Sequence, residues 1–390
     1  MFRPEVVRPG PPAHVPAGAG AHVRRPIPPF TSEHEELRVE IRSFVEDELL
    51  PHARDWEEAR WFPNDVFARM AERGYLGLKF PREYGGSDDL VADAVLVEEL
   101  ARCGSGGVAA GISAHIGIAL PPIWRFGSKE QRQRYLVPGI RGERIAALAI
   151  TEPDAGSDVA SIRTQAHKVE DGYLVSGAKT FITGGVRADV LVTAVKTRGE
   201  GGHRGLSFLI IERGPGVSSS PLEKLGWHAS DTALITFDEV FVPRANLLGE
   251  ENAGFYLIMA NFQWERLLMA LGAVGAMGVS LERTLASVRG RSNGQALRHR
   301  LAEIALAVEA GRDVTYHALR RYLAGQDAVR EVTIAKLATQ RRCFEVIDDC
   351  LQICGPDADL GRAVRDARLG PIGGGTDEIM KEILGRSLGL

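Results

Sequence analysis

The spacing of apolar residues along the chain changes character twice. Beginning at TSEHEELRVEIRSFVEDELL, residues Leu37, Ile41, Phe44 and Leu49 recur at helical intervals, and Ser32 with Glu35 three residues later predicts a capping box. Helical patterning continues through VFARMAERGYLGL, DLVADAVLVEELARC and KEQRQRYLVPGI, with no alternating strand before about residue 146. Short β-branched and aromatic runs then follow, GYLVSGAKTFIT, ADVLVTAVK, GLSFLIIE and ALITFDEVFVP, cut by Gly, Asp and Pro as in a compact antiparallel sheet or small barrel. From Ala253 the helical period returns, in segments as long as GFYLIMANFQWERLLMALGAVGAMGVSLERTLASV and REVTIAKLATQRRCFEVIDDCLQIC, which predicts an antiparallel bundle. The expected class is α+β and mostly α. It comprises a Pro/Gly-rich tail (1–30), an N-terminal α-helical domain (31–145), a small central antiparallel β-barrel or sheet domain (146–250) and a C-terminal four-helix bundle (251–390). Strands and helices do not alternate, so no Rossmann core is expected, and the glycines of GAVGAMG read as close helix packing.

Composition narrows the function classes. With 390 residues and 44% hydrophobic content, the chain can bury a large core. A formal charge of −4 supplies no basic field for nucleic acid, and no run of about 18 apolar residues predicts a membrane span. Three of the four cysteines, Cys343, Cys350 and Cys354, fall in one helical stretch without a CxxC pair, so no metal site and a reducing, cytoplasmic location are expected. The first thirty residues lack a continuous apolar segment and read as a disordered tail. An organellar transit peptide is the weaker alternative, since Ser is absent there and Pro breaks an amphipathic helix.

Four stretches carry candidate chemistry. In QWERLLMAL, Glu265 and Arg266 interrupt an otherwise apolar helix, where a buried carboxylate must be paired, neutralised or used. In AITEPDAGSDVAS a strand runs into a turn of small hydroxyls and amides that suits a phosphate or a flavin edge, or an Asx turn holding only itself. In AKTFITGG, alternation puts the Phe181 ring and the Thr183 hydroxyl on one face of a strand, as a stacking platform or as an ordinary cross-strand pair. In PIGGGTDEIMKEILGR, three glycines allow a close approach before Thr376 opens a helix, with a plain capped turn as the alternative.

In chain order the last three of these stretches resemble the acyl-CoA dehydrogenase family, as does GWHASDTALITFDEVFVPRANLLGEENAGF, and the resemblance runs from about residue 31 to the C-terminus. It implies an FAD-dependent enzyme with the same α, β, α-bundle plan. Leu148, Ile150, Thr151 and Ser157 would meet the flavin, Phe181 and Ile182 would lie against its ring, and Thr183 would sit near N5. Thr376 and Glu378 would touch the ADP half of FAD, and Gln352 and Gly355 the adenine bound to a neighbouring subunit. Ser157, Phe255, Tyr256, Gln263, Arg266, Gly374 and Gly375 would border the acyl-CoA channel, Arg266 chiefly orienting its helix or balancing charge.

Many members carry the catalytic Glu just before the C-terminal Gly-Thr pair, where this chain has Gly374. In the isovaleryl and long-chain branches the base stands on the bundle helix before an Arg, as Glu265-Arg266 does here. The resemblance therefore implies Glu265 as α-proton acceptor, the Gly374 amide as polariser of the thioester, and flavin N5 as hydride acceptor. An acyl-CoA substrate, an electron-transfer flavoprotein as acceptor and a homo-oligomer, tetramer or dimer, are implied with it. Two segments depart from the family: SVRGRSNGQALRH (287–299) is short and lacks a Phe, and QICGPDADLGR (352–362) has Pro356 for a second Gly. Both bear on the intersubunit ADP contact, so weaker FAD retention or an altered oligomer is expected. Alternatives are an oxygen-using flavin oxidase or monooxygenase, a carrier-protein-linked dehydrogenase, and a non-catalytic descendant.

Overall fold

A computed structural model describes residues 26–198, 202–290 and 294–390. Most of the expected tail and part of the short 287–299 connection lie outside the described residues. The N-terminal unit contains α1 (Ser32–Phe44), α2 (Ala53–Ala59), α3 (Asp65–Glu72), α4 (Leu90–Leu100), α5 (Gly106–Ser113), α6 (Leu120–Phe126), α7 (Lys129–Gln131) and α8 (Val137–Ile140). The cap of α1 differs from expectation by one residue. Thr31 takes that place, its N–H donating to His34 Nδ1 at 3.1 Å, while Glu35 is buried against Arg38 at 3.2 Å and is not free to reach back.

A π-helical turn at Ala114–Ala119 directs His115 inward. Its Nε2 meets the Gly139 carbonyl at 3.0 Å, and its Nδ1 accepts from the Ala146 N–H at 3.0 Å. Burial pushes this imidazole down to about 4, so it stays neutral, with Nδ1 an acceptor, and ties the helical unit to the first strand.

The central unit contains β1 (Ala146–Ala149), β2 (Gln165–Val169), β3 (Gly172–Ile182), β4 (Val190–Lys196), β5 (Leu206–Glu212), β6 (Val217–Pro221), β7 (Ala233–Pro243) and β8 (Leu247–Leu248). Their order is β6-β7-β3-β2-β4-β5-β8, with β1 added on β4. The sheet is mixed and not wholly antiparallel as expected. β1 runs parallel to β4 from Ala146↔Val190 to Ala149↔Thr193, because it enters from the helical unit and the β2–β3 hairpin intervenes before β4. β2 and β6, QAHKV and VSSSP, are polar and largely exposed, so no apolar alternation marked them.

The bundle has three long helices, α9 (Gly254–Val288), α10 (Gln295–Leu323) and α11 (Val329–Cys354), followed by α12 (Ala358–Ala367) and α13 (Asp377–Ser387). The fourth helix of the expected bundle is thus divided: Gly374 and Gly375 have φ of 61° and 94°, a backbone through which no right-handed helix continues. α4 of the N-terminal unit packs on α9 instead, joining Val95 and Leu96 to Leu267 and Leu271 in one core. At Gly275 a Cβ would lie 2.4 Å from the Glu98 carbonyl, so close packing explains this glycine, whereas Gly272 and Gly278 meet nothing. By length and composition, 106–126 and 254–288 could cross a membrane, but 72% and 50% of their most apolar windows are buried inside the protein, as in core helices.

Candidate functional site

The turn after β1 is held from below. Lys179 on β3 is fully buried and donates to the Ile150 carbonyl at 2.9 Å and to Glu152 Oε1 at 2.7 Å. Glu152 also accepts from the Thr164 N–H at 2.9 Å and from the Arg163 N–H, which closes the loop on itself. Burial lowers the Lys179 ammonium to about 8, while Lys179 and these donors hold Glu152 below the usual carboxylate range against its own burial. Glu152 is therefore structural, and Asp158 is as well, since it accepts from Ala160 N–H and the Ser161 hydroxyl in an Asx-type turn. What remains outward is Ser157, exposed, with Thr151 half-buried and Leu148 and Ile150 packed behind them.

The Thr180 N–H donates to the Thr151 carbonyl at 2.8 Å, which brings the AKTFITGG stretch alongside this turn. Regular alternation does not reach Thr183. A bulge interrupts the β3–β7 ladder between Lys179 and Ile182, Phe181 has φ 59°, and Thr183 lies beyond the strand end. Ile182 returns to the core opposite Ala233, while the Phe181 ring is 70% exposed. A large aromatic held in a left-handed conformation and left open is a strained, specified position of the kind that gathers at ligand sites.

Glu265 projects from α9 between buried Trp264 and buried Arg266. Its Oε1 lies 3.7 Å from the point a Cβ would occupy on Gly374, and its buried Oε2 has no hydrogen-bond partner. Burial raises this carboxyl to about 7, with Arg266 and Lys336 pulling the other way. Arg266 makes no ion pair among the described residues; its guanidinium lies over Phe262 at 5.5 Å and is itself shifted down by burial. At Gly374 a Cβ would meet Met269 Sδ at 2.3 Å, and at Gly375 it would meet Met380 Cε at 2.7 Å, so this turn is built for backbone alone. The Gly374 N–H donates to no group among the described residues. Thr376 caps α13, its hydroxyl accepting from the Ile379 N–H at 3.3 Å, and Glu378 is exposed on the first turn.

The remaining expected residues separate into two groups. Phe255, Tyr256 and Gln263 line the first half of α9 that leads to Glu265; Phe255 contacts His203, ring centroids 5.5 Å apart, and Tyr256 is 67% exposed beside Phe126. Gln352 and Gly355 do not join this site within the chain. They stand at the far end of α11, about 24 Å of helix beyond Lys336. There Gln352 donates to Asp348 at 2.7 Å, and the following loop folds back as Asp357 caps α12 and pairs with Arg283.

Sequence reasoning missed Lys336. It is fully buried on α11 and donates to the Gly375 carbonyl at 2.6 Å. The signal was the one that marked Glu265, a charge inside an apolar stripe, here between Val332, Ala335 and Thr339.

Models of the N-terminal, middle and C-terminal domains of acyl-CoA dehydrogenase match residues 31–143, 147–240 and 252–389. The chain belongs to the acyl-CoA dehydrogenase family. The mitochondrial isovaleryl-CoA dehydrogenase of Oryza sativa subsp. japonica is 34% identical over 376 residues, covering 92% of each chain. The mitochondrial long-chain specific acyl-CoA dehydrogenase of Sus scrofa is also 34% identical over 376 residues, covering 92% of this chain and 87% of its own. The solved structure of PigA with FAD and proline superposes with a TM-score of 0.88 at 28% identity, covering 93% of this chain and 98% of that one. The family places the chain among the FAD-binding oxidoreductases. The expected cytoplasmic location is overturned, because the Oryza and Sus relatives are mitochondrial proteins.

Proposed function

We propose that the protein removes hydrogen across the α,β-carbons of an acyl-CoA thioester, with Glu265 as the base, in the manner of the isovaleryl and long-chain branches. The observation that carries this reading is the Glu265–Gly374 juxtaposition. A half-buried carboxyl with an unpartnered oxygen faces a turn whose φ of 61° and contact with Met269 leave no place for a side chain at the alternative base position. The residues present fit FAD: an exposed aromatic at Phe181 runs alongside the open Thr151–Ser157 turn, and the Gly374–Gly375 turn presents backbone alone beside Glu265. Phe181 would hold the ring, with Ile182 offering only its backbone because its side chain is in the core, Thr183 would meet the N5 edge, and Thr376 and Glu378 the ADP half, with Gln352 and Gly355 serving a neighbouring subunit. When bound, FAD accepts the β-hydride.

Glu265 takes the α-proton, and a carboxyl raised to about 7 has a proton affinity suited to that transfer near neutral pH. The Gly374 N–H, without an acceptor among the described residues, polarises the thioester carbonyl and so acidifies the α-carbon. Phe255, Tyr256, Gln263 and Gly375 bound the channel, and Arg266 sets the field on its helical neighbour. The product is a trans-2-enoyl-CoA, an electron-transfer flavoprotein is the expected electron acceptor, and the protein is expected to work as a homo-oligomer. Anaerobic addition of straight and branched acyl-CoAs to the FAD-loaded protein tests the proposal. Bleaching of the flavin band in the native protein and its loss in Glu265→Gln, with FAD retained, is the expected result; undiminished bleaching in the variant moves the base elsewhere. A second reading, a carrier-linked or oxygen-using enzyme of the same fold, is favoured by the likeness to the solved prolyl acyl carrier protein oxidase AnaB, 28% identical with a TM-score of 0.86. Reoxidation of the reduced flavin by air within seconds would select it.

A further inference from the structure

Three polar groups on successive turns of α11 reach the glycine turn, the start of α13 and α9. The Lys336 ammonium donates to the Gly375 carbonyl at 2.6 Å. One helical turn on, Gln340 Nε2 donates to the carbonyl of Met269, the residue whose Sδ fills the space beside Gly374. Arg341 Nε pairs with Asp377 Oδ2 at 2.6 Å, just past the Thr376 cap. The turn thus carries no side chain that could fix its own position, and α11 supplies the anchors. Of these, Lys336 is the one that is fully buried and charged, with one of its three donors satisfied among the described residues.

We propose that Lys336 is a positioning residue for the proton-transfer step. It ties the Gly374–Gly375 turn to α11, which Gln340 joins to α9, and its positive charge adds to that of Arg266 in favouring the ionised form of Glu265 that accepts the α-proton. This rests on the assignment of Glu265 as base. The charged groups sharing this environment are Glu265 and Arg266 from α9, Asp377 and Glu378 from α13, and Arg341 on α11 itself. Among the described residues Arg266 is the stronger and Lys336 the weaker cationic influence on Glu265, and Asp377 is engaged by Arg341. Burial brings the Lys336 ammonium down to about 8, against the opposing pull of Asp377, so it is cationic at neutral pH and loses charge on the alkaline side. Lys336 therefore defines a window, above the Glu265 value and below its own, in which carboxylate and ammonium coexist.

The test is the pH dependence of anaerobic flavin reduction at saturating acyl-CoA, measured from pH 5.5 to 9 on FAD-loaded protein. Lys336→Met removes the charge and the tie. Its acid limb is expected to move up by about one pH unit, with the rate at pH 6 falling about tenfold and FAD still bound. Lys336→Arg keeps the charge and is expected to return the limb to its native position. If Lys336→Met does not fold, Lys336→Gln carries the same expectation. A limb that stays at the native pH in whichever neutral variant folds, with any loss confined to melting temperature or FAD content, would overturn the proposal and leave Lys336 a structural anchor. Glu265→Gln measured alongside separates the two assignments: an active variant removes the base itself, whereas an inactive one with an unmoved Lys336→Met limb removes only the role of Lys336.

Discussion

If Glu265 is held near neutrality by burial, the fold bears a cost that Glu265→Gln should release. The carboxyl is raised from 4.5 to about 7 in the folded chain. Between those values the folded protein keeps a proton that the unfolded chain has already lost. Stability therefore falls as pH rises from about 4.5 to about 7 and stays lowered above it, the reverse of the usual salt-bridged carboxylate. The full shift corresponds to about 3 kcal/mol, and partial solvent contact trims it to about 2 kcal/mol. Gln has nearly the same shape and cannot ionise. The variant should match the native protein at pH 5 and exceed it by about 2 °C in melting temperature at pH 8, followed by flavin fluorescence in both holoproteins. Parallel melting curves for the two proteins across pH 5 to 8 would refute the reasoning, because the carboxyl would then not be titrating from a desolvated position.

Phe181→Ala removes an exposed ring that supports nothing in the core, so the melting temperature of the apoprotein should change little while FAD affinity falls at least about tenfold, as read by fluorescence titration. Lys179→Met leaves Glu152 buried without its cation, a loss of about 3–5 kcal/mol expected to appear as a lower melting temperature and as protease cleavage between residues 150 and 164. The loop after α11 is engaged by its own chain through Arg283 and Asp357, so FAD should leak from the protein on gel filtration in FAD-free buffer; retention of a full complement by a sedimentation-verified tetramer would contradict this.

Much of the fold was legible because apolar periodicity reports directly on burial. α9 and α11 run almost where their patterns do, and β3, β4, β5 and β7 coincide with the marked β-branched runs. β2 and β6 escaped because their side chains face solvent and carry no such pattern. The site was legible where a residue violated its surroundings, as Glu265 does in an apolar helix. It was misread where a local rule failed: alternation could not foresee the bulge that turns Phe181 outward and leaves Thr183 past the strand, and the Ser32–Glu35 capping box dissolved once Arg38 claimed Glu35.

The sequence by itself determined the order of helical and strand units, the family, and which residues were chemically out of place, since each depends on neighbours within a few positions or on ordered motifs. Only the tertiary structure decided what those residues face. That Glu265 stands 3.7 Å from the Cβ position of Gly374, more than a hundred residues away, and that Lys336 reaches the next glycine from a third helix, follow from how α9, α11 and the turn before α13 pack. Such contacts are fixed by the cooperative filling of a shared core, and no local pattern in the chain encodes them.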